Sequence, residues 1–87
     1  MKIGSNKKFD KMFKKAPVIV KKKFEERVKI LILDSNQPIL RRHKLSGKYQ
    51  NYFSIDITGD WRAVYVELEN GDFLFFVLFG THSQLYK

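Results

Sequence analysis

The chain has 87 residues, of which 44% are hydrophobic, and 17 Lys and Arg against 9 Asp and Glu give a formal net charge of +8. This length suits a single domain, 1–87, and the absence of cysteine excludes disulfides and thiolate chemistry. The longest apolar run, Phe73–Phe79, is too short to span a bilayer, and the N-terminus leads into lysines where a signal peptide has an apolar segment. We therefore expect a soluble cytoplasmic protein.

The positive charge is concentrated in the first third of the chain. Residues 1–30 carry eleven Lys and Arg against three Asp and Glu, whereas residues 31–87 carry six of each. A surface with this charge attracts a polyanion by neutralising phosphates and releasing condensed counterions. Charge alone leaves three other interpretations open: a solvated helical surface, an anionic membrane or an acidic protein partner.

Two amphipathic helices are predicted at the N-terminus. In residues 5–16, apolar residues recur at i, i+3, i+4 and i+7, and Ser5 or Asn6 can cap the first turn. Pro17 ends this helix and can begin the next, which runs to about Leu33. The pattern predicts a helix hairpin with its apolar stripes facing inward and its lysines facing outward.

Three strands are predicted after the helices. Phe53–Ile57 and Arg62–Glu69 alternate apolar and polar residues, whereas Phe73–Phe79 is apolar on both faces, which is typical of a strand inside a sheet. Asn70-Gly71 is a strong hairpin signal because both residues tolerate positive φ. Ile3 can add a short edge strand. The predicted fold is α+β, with the helix hairpin on one face of a twisted antiparallel sheet of three to four strands.

The side of the Phe73–Phe79 strand that faces away from the helices also needs a cover. We prefer a partner protein for this role, because large exposed apolar patches usually mark interfaces. The alternative is that the loop of residues 38–50 and the C-terminal tail of this chain are sufficient to bury that side of the strand.

Several residues have the side chains that RNA cleavage needs. A base must take the proton of the 2′-hydroxyl, an acid must protonate the leaving 5′ oxygen, and cations must stabilise the phosphate. Histidine suits both proton transfers, arginine matches two phosphate oxygens, and aromatic rings stack on unpaired bases. Neither a metal site nor a cofactor is expected, since no metal-ligand spacing or Gly-rich phosphate loop is present. The candidates lie in three separate segments: His43, Lys44, Lys48, Asp60, Trp61, Arg62, His82 and Tyr86.

Each of these residues also has an ordinary structural interpretation. His82 can belong to a capped turn, Trp61 to the core, and Arg62 to a surface ion pair. The segment Arg41–Lys48 can be a basic loop with no chemical role. Only the combination of these residues favours a nuclease.

Three motifs of this chain resemble the RelE superfamily of toxin ribonucleases, from type II toxin–antitoxin systems, and most closely its YafQ-like branch. The motifs are His43–Gly47, Gly59–Tyr65 and Gly80–Tyr86, and the resemblance extends over essentially the whole chain. It implies two N-terminal helices packed on a twisted antiparallel sheet. It also implies that the protein cleaves mRNA in the ribosomal A site and that a cognate antitoxin wraps the toxin and blocks it.

The resemblance implies roles for individual residues as well. His43, Asp60 and His82 match catalytic positions of the branch, and Arg62 matches its phosphate-stabilising arginine. We assign His82 as the general acid and either Asp60 or His43 as the base, with Arg62 and Lys44 on the phosphate. The supporting or base-contacting positions of the branch match two aromatic residues, Trp61 and Tyr86.

One position departs from the YafQ-like pattern. Asp56 stands where the branch often has a histidine, and a carboxylate cannot offer a cation to phosphate. This departure leaves the acid and base assignments open, together with the alternative of a catalytically weakened member that binds RNA, the ribosome or only an antitoxin. A ParE-like gyrase inhibitor is a second alternative, but such an inhibitor does not need the proton-transfer residues His43 and His82.

Overall fold

The computed structural model describes residues 1–86, which form a five-stranded mixed sheet with a helix pair on one face. The elements are β1 (Lys2–Ser5), α1 (Lys7–Lys14), α2 (Val18–Leu33), β2 (His43–Lys44), β3 (Tyr52–Asp56), β4 (Trp61–Leu68), β5 (Phe73–Thr81) and α3 (His82–Leu85). The strand order is β1-β5-β4-β3-β2. The predicted α+β class and the predicted inner position of the apolar strand β5 are both confirmed. Within residues 1–86, no helix is long and apolar enough to cross a membrane.

The sheet differs from the prediction in the number and direction of its strands. The edge strand expected around Ile3 forms, but it runs parallel to β5, while the other neighbouring strands are antiparallel. A parallel pair needs a long crossover, and most of the chain lies between β1 and β5. The strand that was not predicted is β2 (His43–Lys44), which pairs with β3. It has only two residues and is too short to show a recognisable alternation of apolar and polar residues.

The helices pack on the sheet through an aromatic cluster. Phe9 and Phe13 of α1 and Phe24 of α2 meet Phe76 and Phe79 of β5, with ring centroids 5.2 to 5.7 Å apart. Such pairs add about 0.5–1.5 kcal/mol each beyond the burial of their area. The predicted hairpin of two helices with inward apolar stripes is confirmed.

Helix α1 begins two residues later and ends two residues earlier than the predicted range 5–16. Asn6, and not Ser5, caps α1, because its side-chain oxygen accepts the N–H of Phe9 at 2.8 Å while Ser5 is already part of β1. Pro17 separates the helices as predicted, and α2 ends at Leu33. The turn between β4 and β5 also forms as predicted, with Asn70 and its neighbours at positive φ.

The sheet face opposite the helices is covered by this chain itself. Val64 and Leu78 are 0% and 7% exposed, and Leu45, Tyr49 and Leu85 pack against them. The preferred prediction that a partner protein covers this part of the sheet is therefore wrong, and the alternative is confirmed. A short 3₁₀ turn at residues 47–49 and the C-terminal helix α3 bring the covering side chains onto the sheet.

Tyr65 of β4 supports a prediction about stability in alkali. Its hydroxyl is buried and accepts a hydrogen bond from Nε of Arg42 at 2.9 Å. Burial raises the pKa of Tyr65, and the guanidinium of Arg42 offsets only part of this rise. The folded-state pKa thus lies above the unfolded value of about 10, so this contribution to stability is complete below about pH 10 and is lost as the pH rises through the folded-state pKa.

We therefore expect Tyr65→Phe to lose less of its free energy of unfolding than the unmodified chain does between about pH 9 and about pH 11. Urea unfolding at both pH values measures this difference. Tyr49→Phe is the matched control, because it removes a phenol outside this buried pair. An equal alkaline loss in the unmodified chain and in Tyr65→Phe would contradict the prediction.

Candidate active site

The two histidines line the same cavity, on the sheet face that is opposite the helices. His43 of β2 lies beside Ser54 of β3, Arg62 of β4 lies beside Asp56 of β3, and His82 begins α3 directly after β5. Between them is an open cavity of about 380 Å³. Within residues 1–86, no three His, Asp or Glu side chains are grouped as ligands for a metal ion. The cavity is lined by Arg41, His43, Asp56, Arg62, His82 and Tyr86.

A backbone contact defines the tautomer of His43. Its Nδ1 lies 3.0 Å from the carbonyl oxygen of Arg41. A carbonyl oxygen can only accept a hydrogen bond, so Nδ1 must carry the proton. In the neutral ring, Nε2 then keeps its lone pair and is the nitrogen that can take a proton from a substrate. The side chain is exposed, so a substrate can reach this nitrogen.

His82 is positioned by its own backbone and by Tyr86. Its N–H donates to the carbonyl oxygen of Asp60 at 2.9 Å, and its ring centroid lies 4.8 Å from that of Tyr86. The hydroxyl of Tyr86 in turn donates to Oγ of Ser54 at 2.9 Å, and Ser54 is fully buried. The C-terminal turn is thereby tied to β3, which places the exposed imidazole at the edge of the cavity.

Asp56 binds both arginines of the cavity. Its Oδ1 lies 2.9 Å from Nε of Arg62, and its Oδ2 lies 3.6 Å from Nε of Arg41. The side chains of Asp56 and Arg62 are each 15% exposed, whereas that of Arg41 is 78% exposed. The carboxylate is therefore occupied by a close, largely buried ion pair, and Arg41 is only loosely held.

Arg62 also holds the turn between β3 and β4. Its Nη1 donates to the carbonyl oxygens of Thr58, Gly59 and Trp61 at 3.1 to 3.2 Å. Nε and Nη1 of this guanidinium thus stabilise the protein, and the Arg62 side chain also lines the cavity.

The structure does not bring Asp60 and Trp61 into the cavity, although both were predicted as site residues. The side chain of Asp60 is exposed at the turn, and this residue reaches His82 only through its backbone carbonyl. Trp61 faces the helices because neighbouring residues of a strand point to opposite faces, and its ring lies 5.6 Å from that of Phe79. The ring therefore packs against the core but is only partly buried.

The two lysines predicted to bind substrate also lie outside the cavity. The ammonium group of Lys44 is 5.8 Å from the ring centroid of Phe53, and that of Lys48 is 5.3 Å from the ring centroid of Tyr49. Lys44 points to the face opposite His43, again because consecutive strand residues alternate. Both side chains are exposed and contribute positive charge near the cavity without lining it.

Two cavity residues, Arg41 and Asp56, were not predicted to bind substrate. The sequence signal for Arg41 was a pair of adjacent arginines before His43, which does not reveal the one that faces the cavity. The structure separates them: Arg41 lines the cavity, whereas Arg42 donates to the buried Tyr65 from the other side of the sheet.

This fold is shared with bacterial toxins of known structure. The YoeB/ParE toxin from Agrobacterium tumefaciens matches with a TM-score of 0.80 at 18% identity, covering 94% of this chain and 99% of that chain. YafQ from E. coli strain BL21(DE3) matches with a TM-score of 0.77 at 20% identity, covering 98% of this chain and 97% of that chain. These likenesses show that the chain has the fold of these toxins.

The family is given by the sequence itself. The family model of the bacterial toxin of type II toxin–antitoxin systems, YafQ, matches residues 1–87, and the chain belongs to this family. The predicted family is thus confirmed. YafQ in the E. coli DinJ-YafQ complex is similar too, with a TM-score of 0.76 at 21% identity, covering 98% of this chain and 97% of that chain. No curated protein matches this chain in sequence.

Proposed function

We propose that this chain is an endoribonuclease toxin that cleaves mRNA on the ribosome by metal-independent acid–base catalysis. The observation that carries the proposal is that His43 and His82, two exposed imidazoles from distant segments, line one open cavity together with a pair of arginines. Membership of the YafQ toxin family supports the same activity. The protein acts in the cytoplasm as one domain.

His43 is the general base and His82 the general acid of the proposed reaction. Nε2 of His43 takes the proton of the 2′-hydroxyl, and the 2′ oxygen forms a bond to phosphorus. The bond between phosphorus and the 5′ oxygen breaks, and the leaving oxygen takes a proton from His82. The products are a 2′,3′-cyclic phosphate and a free 5′-hydroxyl. His43 is favoured over Asp60 as the base, because the Asp60 carboxylate does not line the cavity and Nε2 of His43 is free.

Arg41 is the main cation for the phosphate, and Arg62 assists it. Arg41 is exposed and its pairing with Asp56 is long, so its guanidinium can turn to a phosphate at little cost. Asp56 is a positioning residue, since its two carboxylate oxygens contact the two arginines and orient them. Its carboxylate therefore replaces the histidine of the YafQ-like pattern without acting as a base.

Tyr86 and the two lysines outside the cavity complete the proposed RNA contacts. Tyr86 is 38% exposed beside His82, and its hydroxyl donates to Ser54, so its ring offers a fixed surface for stacking of an unpaired base. Lys44 and Lys48 supply charge along the path of the RNA backbone and hold no reacting atom.

We also propose a cognate antitoxin as partner. E. coli YafQ, which shares this fold, occurs in a complex with DinJ. The formal net charge of +8 favours an acidic segment of the antitoxin, which competes with RNA for the arginines of the cavity. Addition of such an antitoxin is expected to stop cleavage in the assay described next.

An mRNA with one 2′-O-methyl group at the cleaved nucleotide is expected to remain uncut, because the attacking oxygen then has no proton to lose. The same methyl group one nucleotide further 3′ is the matched control and leaves cleavage intact. Toe-printing on programmed ribosomes measures both, and end analysis of the products detects the cyclic phosphate. Cleavage at the methylated nucleotide, or products with a 3′-hydroxyl, would contradict the mechanism.

A further inference from the structure

A second groove lies on the helix side of the sheet, where β4 begins. Its volume of about 230 Å³ is smaller than the roughly 300–1,000 Å³ of most small-molecule pockets, so it suits one planar ring and not a whole ligand. It shares no lining residue with the histidine cavity. The groove is lined by Lys11, Met12, Lys15, Trp61, Phe79 and Gln84.

The floor of this groove is aromatic. The ring of Trp61 packs on Phe79 at a centroid distance of 5.6 Å, and the indole is only partly buried, so the remaining part of its surface lines the groove. Gly80 allows the side chains of Met12 and Gln84 to approach the backbone closely. A Cβ at this position would lie 3.1 Å from Cε of Met12 and 2.7 Å from Oε1 of Gln84. Aromatic surfaces of this kind stack on unpaired bases of any sequence.

Two lysines border this floor on one side. Lys11 of α1 and Lys15, the residue that caps its C-terminal end, are four positions apart, which places their exposed side chains on the same side of the helix. They belong to the part of the chain that carries the whole excess of positive charge. A flat apolar floor beside two cations matches the alternating bases and phosphates of a single strand. An acidic peptide would use the cations but not the ring.

The groove and the histidine cavity lie on the two sides of the same sheet end. Trp61 and Arg62 are neighbours in β4, and they point to the groove and to the cavity respectively. Gln84 and His82 belong to the same short helix α3 and line the groove and the cavity in the same way. A single-stranded RNA that leaves the cavity over the turn between β3 and β4 therefore reaches the groove.

We propose that this groove binds one unpaired base of the RNA substrate outside the bond that is cut, with Lys11 and Lys15 on the adjoining phosphates. The inference rests on the proposed function, since the bound RNA is the nuclease substrate. It gives Trp61 and the lysines of α1 a common role in holding the substrate strand.

The groove can be tested directly because Trp61 is the only tryptophan in the sequence. Titration of the His82→Ala protein with a short single-stranded RNA is expected to quench its fluorescence. Adding Lys11→Ala and Lys15→Ala is expected to weaken binding about five- to tenfold, because two phosphate contacts are lost. Lys8→Ala with Lys22→Ala is the matched control, since it removes equal charge at exposed positions outside the groove and should weaken binding less than about twofold.

The outcomes separate this inference from the proposed function. An oligomer of equal length without bases should leave the fluorescence unchanged, and quenching by it would overturn the inference. An absence of quenching by RNA would also overturn the inference, and so would an equal loss of affinity in the two double-lysine variants. If the protein cuts mRNA but RNA does not quench its fluorescence, the nuclease function stands and the proposed RNA site in the groove is refuted. Quenching in a protein that cannot cut RNA leaves the groove as an RNA site and refutes the proposed cleavage.

Discussion

His82→Ala is expected to lower the rate of mRNA cleavage by about 10²- to 10⁴-fold, the range that a positioned general acid contributes. Without this imidazole, the 5′ oxygen must leave without a proton, although the phosphate and the base remain in place. Expression of the variant is therefore expected to relieve growth arrest. Single-turnover cleavage of ribosome-bound mRNA measures the rate, and the growth of expressing cells gives an independent readout.

The fold should tolerate this change. The His82 side chain is exposed, and the hydrogen bond to Asp60 comes from the His82 backbone, which alanine preserves. Ser83→Ala is the matched control in the same helix, because Ser83 does not line the cavity, and it should remain toxic. A folded His82→Ala protein that arrests growth as strongly as the unmodified chain would refute its role as the acid.

Arg62→Ala is expected to lower the free energy of unfolding by about 3–5 kcal/mol, the cost of breaking a largely buried ion pair by removing one partner. Asp56 would keep only the long contact with Arg41, and three carbonyls at the turn between β3 and β4 would each lose the hydrogen bond from Nη1. Proteins of this size are stable by about 5–15 kcal/mol, so the loss is a large share of the total. Urea unfolding measures it.

Arg41→Ala separates the chemical role of the two arginines from their structural role. Its side chain is 78% exposed, so the free energy of unfolding should change by less than about 1 kcal/mol. Cleavage should nevertheless fall by about 10²- to 10³-fold, as when one preorganised donor to a developing charge is removed. If Arg62→Ala is as stable as the unmodified chain, or if Arg41→Ala cuts RNA at the normal rate, this division of roles is wrong.

Much of the fold follows from local patterns in the sequence. The i, i+3, i+4, i+7 spacing of residues 5–16, the break at Pro17, and the apolar alternation of the later strands each act over a few residues, and all of these elements form. The Asn70-Gly71 hairpin forms because both residue types tolerate positive φ, whatever lies elsewhere in the chain. The two histidines and Arg62 were likewise identified by residue type, because proton transfer and phosphate binding need particular side chains.

The direction in which each side chain points was decided only by the tertiary structure. Trp61 and Arg62 are adjacent in sequence, yet β-strand alternation sends one to the helix side and the other to the cavity. Of the two arginines before His43, only Arg41 faces the cavity, because Arg42 is drawn to the buried Tyr65 across the sheet.

The sequence by itself therefore determined the helices, the main strands and the chemical types present in the site. Only the tertiary structure decided that the short strand at residues 43–44 joins the sheet, that this chain covers its own second face, and that Asp56 pairs with both arginines. The physical reason is range. Backbone propensity and periodicity act between near neighbours, whereas strand pairing, burial and ion pairing depend on groups that are far apart in the chain.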